Sequence, residues 1–151
     1  MDTLFGGLME ELGTILDTKL KPDRFNTCKI QYPDGLAVQI EIDRDDSRLL
    51  IGSPIGSLPP GRFRQDFLEQ TLKANYIDFH IGTFGYAKKS GDLYLYAYLP
   101  VKNLSGKQIA TFLEPFNEKA RSWSASLASN TVPVVTSQSQ KKSSGMFGLA
   151  S

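Results

Sequence analysis

The sequence predicts an α+β fold, in which an antiparallel sheet of about five strands is combined with three helices in the order α-β-β-β-α-β-β-α. In three segments of the 151-residue chain, apolar residues recur every three or four positions, which is typical of amphipathic helices. Short runs of strand-forming residues lie between these segments, and in two of the runs the residue type alternates with the period of two that is typical of a strand. Strands grouped between helices favour α+β over a regular alternation of strand and helix.

The first helix is predicted from Leu4 to Leu20, and Pro22 ends it. Three glycines inside it each weaken it by about 1 kcal/mol relative to alanine, so the helix depends on packing. A three-stranded antiparallel meander follows. Its strands are predicted at 27–32, at 36–42 and from Leu49, where Gly52-Ser53-Pro54 is expected to interrupt the third strand.

The second half of the chain is predicted to contain a helix, two strands and a closing helix. The spacing of apolar residues and the turn-forming residues between segments predict a helix from Arg62 to Tyr76 and a hairpin of two strands at 79–87 and 93–101. The last strand has two apolar-capable faces, one of leucine and alanine and one of tyrosine. These faces consist of Leu93, Leu95, Ala97 and Leu99, and of Tyr94, Tyr96 and Tyr98.

The closing helix begins at a capping box formed by Ser105 and Gln108. Pro115 is expected to kink this helix, but the apolar stripe stays in phase on both sides of it, which favours one element ending near Leu127. The leucine face of the last strand is expected to meet this helix. The sequence therefore predicts one domain at 1–128, followed at 129–151 by a disordered tail rich in Ser, Thr, Gln and Gly.

Residue types that carry catalysis are scarce, so no enzyme, cofactor or metal site is expected. His80 is the single histidine and Cys28 the single cysteine, and neither lies in a local signature of a nucleophile–base pair. Asp43, Asp45 and Asp46 lack the spacing of a calcium loop, so they are interpreted as a solvated turn.

Composition also argues against nucleic-acid and membrane partners. Tyr94, Tyr96 and Tyr98 could stack on bases, but the formal net charge is only +1, and that mode of binding needs a basic groove. No apolar stretch approaches the roughly 20 residues of a membrane span, and the first residues do not resemble a secretory signal. A single cysteine suits a reducing compartment, so a cytoplasmic location is expected.

The order of elements resembles that of the CesT/SycE family, the class I chaperones of type III secretion, over about residues 4 to 128. Several local stretches are similar to the pattern of that family. They are Leu8-Met9-Glu10-Glu11-Leu12-Gly13, Gly56-Ser57-Leu58-Pro59, Leu68-Glu69-Gln70-Thr71-Leu72-Lys73-Ala74-Asn75, Gly82-Thr83-Phe84-Gly85-Tyr86, Gly91-Asp92-Leu93-Tyr94-Leu95 and the segment 116–127 with Trp123.

The resemblance implies a homodimer of the bacterial cytoplasm that holds the N-terminal region of a secreted effector in extended form, without catalysis or cofactor. Such binding combines strand addition to a sheet edge with apolar side chains filling pockets. The secretion ATPase or sorting platform is a further possible partner. The alternatives are a dimeric regulator or scaffold that binds a folded partner, and an enzyme or small-ligand domain.

Two surfaces are predicted from the residues and the resemblance together. The effector is expected on the first helix and the first three strands, and the dimer on the second helix and the tyrosine face of the last strand. The effector-binding candidates are Leu4, Phe5, Leu8, Val38, Ile40, Ile51 and Ile55. The dimer candidates are Phe67, Leu72, Tyr94 and Tyr96. Both sets could instead be core residues of the single chain, because periodicity alone does not show which face is exposed.

Overall fold

A computed structural model describes residues 3–136, and the remaining part of the predicted tail, 137–151, lies outside the described residues. The expected order of elements is confirmed, with all strands antiparallel in one sheet. The elements are α1 (Leu4–Leu16), β1 (Thr27–Gln31), β2 (Ala37–Ile42), β3 (Arg48–Ser57), α2 (Arg62–Ile77), β4 (Thr83–Ala87), β5 (Asp92–Pro100) and α3 (Gly106–Ala128).

Helix α1 ends earlier than the sequence predicts. Asp17 adopts a left-handed conformation with φ 55°, and its N–H donates to the carbonyl oxygens of Gly13 and Thr14. The chain then folds back so closely that a Cβ at Gly13 would lie 2.6 Å from the carbonyl oxygen of Thr18. A glycine is therefore required there, and this turn, rather than Pro22, ends the helix.

Strand β3 is longer than predicted, because Gly52-Ser53-Pro54 does not interrupt it. The sheet order is β1-β2-β3-β5-β4, so β3 is central and pairs with β5 from Arg48 to Ser57. The register shifts between Pro54 and Gly56, and such a bulge accommodates a residue that has no N–H to donate. Pairing with β5 along this whole segment outweighs the local breaking signals.

Strand β4 begins at Thr83 rather than at the predicted Phe79. The preceding residues form a turn in which the N–H of Ile81 donates to the carbonyl oxygen of Asp78. Lys119 of α3 donates from Nζ to the carbonyl oxygens of Asp78 and Gly82, at 3.3 and 2.9 Å. Burial lowers the pKa of Lys119.

Helix α3 runs as one element through Pro115, as predicted, and the Ser105–Gln108 capping box is present. A second cap comes from α1, where Glu11 Oε1 accepts a hydrogen bond from the N–H of Gly106 at 2.8 Å. A Cβ on Gly106 would lie 2.5 Å from Glu11, so this close contact joins the start of α3 to α1.

The main core lies between one face of the sheet and helices α1 and α3. Trp123 of α3 joins this core to α2, because its ring lies 5.5 Å from that of Phe67 and 4.5 Å from that of Phe84. The expected contact of the leucine face of β5 with α3 is seen near Gly82, where the side chains of Leu95 and Phe116 both approach.

After α3 the described chain turns back toward α2. The N–H of Val135 donates to Gln70 Oε1 at 2.8 Å, and the Val135 side chain packs against the core. The first residues of the predicted tail therefore contact the domain.

Candidate functional site

The face of the sheet opposite α1 and α3 carries a row of tyrosines. Tyr94 and Tyr98 of β5 are 40% and 47% exposed, while Leu95 between them is fully buried on the other face. A shallow pocket of about 430 Å³ lies here, floored by β3 and β5. We call this surface the tyrosine face, and its main residues are Leu50, Gly52, Pro54, Tyr94, Tyr96 and Tyr98.

A second apolar surface runs along the outer side of α2 and into the turn that follows it. Leu72, Tyr76 and Phe79 are 69%, 76% and 65% exposed and lie three or four residues apart. We call these three residues the α2 stripe. Large apolar side chains exposed together on a helix usually mark a surface that contacts a partner.

The predicted dimer residues divide between these surfaces and the core. Leu72 belongs to the α2 stripe, and Tyr94 and Tyr96 belong to the tyrosine face. Phe67 is fully buried against Trp123, so it supports α2 from inside the chain. Tyr76 and Phe79 were missed as interface candidates, although their spacing from Leu72 was a usable signal.

Strand β1 leaves one edge of the sheet open. In an antiparallel pair, every second residue of a strand directs its backbone N–H and C=O to the neighbouring strand, and the residues between them direct theirs outward. The N–H of Tyr32 donates to the carbonyl oxygen of Leu36, which shows which residues of β1 bond to β2. By that alternation, Ile30 bonds to β2, and the backbone groups of Lys29 and Gln31 point away from it. Residues described in the structure give these outward groups no backbone partner. The edge can therefore accept another strand.

Most of the predicted effector-binding residues are placed in the core rather than on the surface. Leu4 is 51% exposed, but the other six side chains are at most 5% exposed, two of them on the inner side of α1 and four on β2 and β3. Their apolar character serves the packing of the single chain in this conformation. The six are Phe5, Leu8, Val38, Ile40, Ile51 and Ile55. Where an effector binds stays a prediction.

A groove that sequence reasoning missed lies between the end of α1, the end of β1 and the middle of α3. It has a volume of about 860 Å³, and we call it the α1–α3 groove. Its lining includes Ile15, Leu16, Tyr32, Leu113, Asn117 and Arg121. Tyr32 and Asn117 are 85 residues apart in the chain, so no local pattern could have linked them.

Charged side chains at the rim of this groove are partly exposed. The Arg121 guanidinium pairs with Asp34 and holds the pKa of that carboxyl below its ordinary value. The same guanidinium lies over the ring of Tyr32, 5.2 Å from the ring centroid. These contacts fix the position of the Tyr32 ring beside α3.

The residues considered for catalysis are not arranged for it. Cys28 is buried in the core, and desolvation there raises the pKa of its thiol, which disfavours the reactive thiolate. His80 is exposed in the turn after α2 and contacts the ring of Phe79. Within residues 3–136, no group of three or more His, Cys, Asp or Glu side chains could hold a metal ion.

Residues 7–124 match the model of the Tir chaperone protein (CesT) family. The chain belongs to the Tir chaperone protein family. The expected relationship to class I type III secretion chaperones is therefore confirmed. No curated protein matches the sequence. Over the part of the chain that the structure describes, no helix is long and apolar enough to cross a membrane.

Solved structures of secretion chaperones have the same fold as this member of the family. The HopA1–SchA chaperone–effector complex contains a chain with a TM-score of 0.67 and 20% identity, covering 81% of this chain and 94% of that one. The Yersinia pestis type III secretion chaperone SycH, in complex with a fragment of YscM2, gives 0.65 and 19%, covering 79% and 98%. The ExsC–ExsE complex gives 0.63 and 20%, covering 80% and 90%.

Proposed function

We propose that this member of the Tir chaperone protein family is a cytoplasmic type III secretion chaperone that acts as a homodimer and performs no catalysis. Its cargo is the N-terminal segment of one or more secreted effectors, bound in extended form. Family membership supports the proposal, and the similar HopA1–SchA structure is itself a chaperone–effector complex.

The open edge of β1 is the observation that carries the binding mode. An extended segment that pairs with β1 would use the outward backbone groups of Lys29 and Gln31, whatever the sequence of the cargo. Exposed apolar side chains of α1, Leu4 and Ile15, would then contact the parts of the segment that leave the edge. The buried residues first expected at this surface support it from inside.

The α2 stripe supports the homodimer. Its three large apolar side chains, exposed along α2 and the turn after it, are costly to leave in water, and a second copy would bury them against the same residues by two-fold symmetry. The tyrosine face, including Tyr94 and Tyr96, extends the apolar area that the dimer can use.

Proline at the free edge of β1 tests the binding mode. Lys29→Pro removes the outward N–H without removing a hydrogen bond of the β1–β2 ladder, and Lys29→Ala keeps the N–H while removing the side chain. Each variant would be coexpressed with N-terminal fragments of the secreted proteins of the same bacterium, purified, and analysed by mass spectrometry and limited proteolysis.

Wild type and Lys29→Ala are expected to retain a protease-sensitive, extended fragment, and Lys29→Pro is expected to lose it while keeping its melting temperature. Retention by Lys29→Pro would overturn strand addition at β1. A partner that resists protease in the complex would instead favour a scaffold that binds folded proteins.

A further inference from the structure

The α1–α3 groove contains a buried side-chain amide that is only half satisfied. Asn117 is 6% exposed, and its Nδ2 donates to the Tyr32 hydroxyl at 3.0 Å. Its Oδ1 is buried and has no hydrogen-bond partner among the described residues. A buried polar atom without a partner costs about 1–3 kcal/mol, so such an atom calls for an explanation.

Tyr32 and Asn117 together offer one free donor and one free acceptor. When Asn117 Nδ2 donates to Tyr32, the Tyr32 O–H can still donate and Asn117 Oδ1 can still accept. If the carboxamide is turned over, Tyr32 donates to Oδ1, and the free groups become Nδ2–H and the Tyr32 oxygen. Either orientation matches another amide group, which also has one donor side and one acceptor side.

The walls of the groove show how an amide would reach this pair. Ile15, Leu16 and Leu113 are apolar and suit a short methylene stem. Asn117 is only 6% exposed, so a side chain that extends from the surface can reach it more readily than a peptide backbone can. The Asn117 oxygen is screened from solvent, so entry of an amide requires neighbouring side chains of the groove to shift.

The neighbouring charges favour a neutral group. Arg121 would repel a cation, and the carboxylates of Glu114 and Glu118, which also line the groove, would repel an anion. A carboxamide carries no charge and still satisfies both free groups.

We propose that the α1–α3 groove binds a glutamine side chain of the extended effector segment, with its carboxamide paired to Tyr32 and Asn117. This proposal rests on the proposed chaperone function and adds a residue preference to it. The groove begins at Tyr32, directly after the free edge of β1, so a segment paired with Gln31 can place its next side chain in the groove.

NMR titration tests the pocket without an effector. The probe is N-acetylglutamine amide, and N-acetylnorleucine amide is the control of similar length without a side-chain carboxamide. The glutamine probe is expected to shift the side-chain NH₂ signals of Asn117, the norleucine probe is not, and Tyr32→Phe is expected to abolish the shift. No shift with glutamine, or equal shifts with both probes, would overturn the proposal.

Effector affinity gives the second measurement, with a fragment identified by coexpression. Asn117→Leu is expected to weaken binding roughly 10-fold, without lowering the melting temperature, because the variant removes an unsatisfied buried group. Ser124→Ala, which removes a hydroxyl of α3 bonded to Ile55 outside the groove, is the control and should bind as wild type. Unchanged affinity in Asn117→Leu would overturn the glutamine pocket even if chaperone function holds. If no effector binds wild type, the chaperone function fails, and the titration alone decides on the pocket.

Discussion

The two faces of β5 differ in what covers them, although both are apolar. Leu93 and Leu95 are at most 1% exposed beneath the helices, whereas Tyr94 and Tyr98 are 40% and 47% exposed on the opposite side. Residues one position apart in the same strand therefore belong to different environments. The covered face stabilises the single chain, and the open face is available for contacts between chains.

The choice of side chain reflects this difference. Leucine has no polar atom and is well suited to a dry core, while tyrosine combines a large apolar ring with a hydroxyl that remains hydrated. The guanidinium of Arg48 lies 4.0 Å from the centroid of the Tyr98 ring, so this exposed ring makes a cation–π contact. Substitutions on the two faces should accordingly have separable effects on folding and on association.

The largest expected effect lies on the covered side, at the junction of α3 with α2 and β4. Trp123→Ala should lower the free energy of unfolding by roughly 3–5 kcal/mol, because the ring fills the space between Phe67 and Phe84. Urea denaturation followed by circular dichroism would measure it. A loss well under 1 kcal/mol would mean that this junction is not a core.

A neighbouring pair in β5 compares the two faces directly. Leu95→Ala should cost roughly 2–5 kcal/mol of unfolding free energy because it leaves a cavity, whereas Tyr94→Ala should cost much less, since its ring is already partly in water. Unfolding would be measured at low protein concentration, so that association contributes little. Equal losses would show that the tyrosine face is packed within one chain.

The sequence was sufficient for the order and type of the elements but not for all of their bounds or for which surfaces they cover. Alternation in β5 identified its leucine and tyrosine faces, and the capping box placed the start of α3. The same alternation could not show that Val38 and Ile40 are covered by helices of their own chain. Coverage depends on how distant elements pack, and periodicity carries no information about that.

Local signals failed where long-range contacts competed with them. Gly52-Ser53-Pro54 has the composition of a turn, yet pairing with β5 keeps it in β3. The meeting of Tyr32 with Asn117 depends on the packing of α3 beside the end of β1, so it has no signature in either segment. The open edge of β1 likewise follows from the sheet order, which the sequence did not specify.

Helix α2, like β5, has one buried side and one exposed side, because Phe67 is fully buried while Leu72 is largely exposed. Leu72→Asp should leave the unfolding free energy of the single chain within about 0.5 kcal/mol, but should abolish the proposed dimer by placing a charge in its apolar interface. Light scattering at micromolar concentration would measure the mass. Thr111→Asp adds the same charge at an exposed position of α3 and should remain dimeric. A dimer of unchanged stability in Leu72→Asp would place the interface elsewhere.

The smallest expected effect lies in the solvated turn between β2 and β3. Both strands contribute residues to the covered face and to the open face of the sheet. Partial loss of water acts to raise the pKa of Asp43, but this is outweighed by hydrogen bonds from the N–H and hydroxyl of Ser47, at 2.8 and 2.9 Å, and from the N–H of Arg48. These bonds lower the pKa of Asp43 to about 2 in the folded chain, whereas an unfolded chain has an ordinary value of about 3.9.

A carboxyl whose pKa is lower in the folded state stabilises that state fully above about pH 4, and its contribution is lost as the pH falls toward about 2. Wild type should therefore lose melting temperature across this interval, and Asp43→Asn should lose less, because it has no proton to take up at this position. Thermal unfolding between pH 2 and 5, by roughly half-unit steps, would show the difference. Glu10→Gln removes an exposed carboxylate of α1 instead and should follow the wild-type slope. If the melting temperature of Asp43→Asn depended on pH as steeply as that of wild type, the turn would not stabilise the ionised Asp43 carboxylate in solution. Acid would then destabilise the fold through other groups.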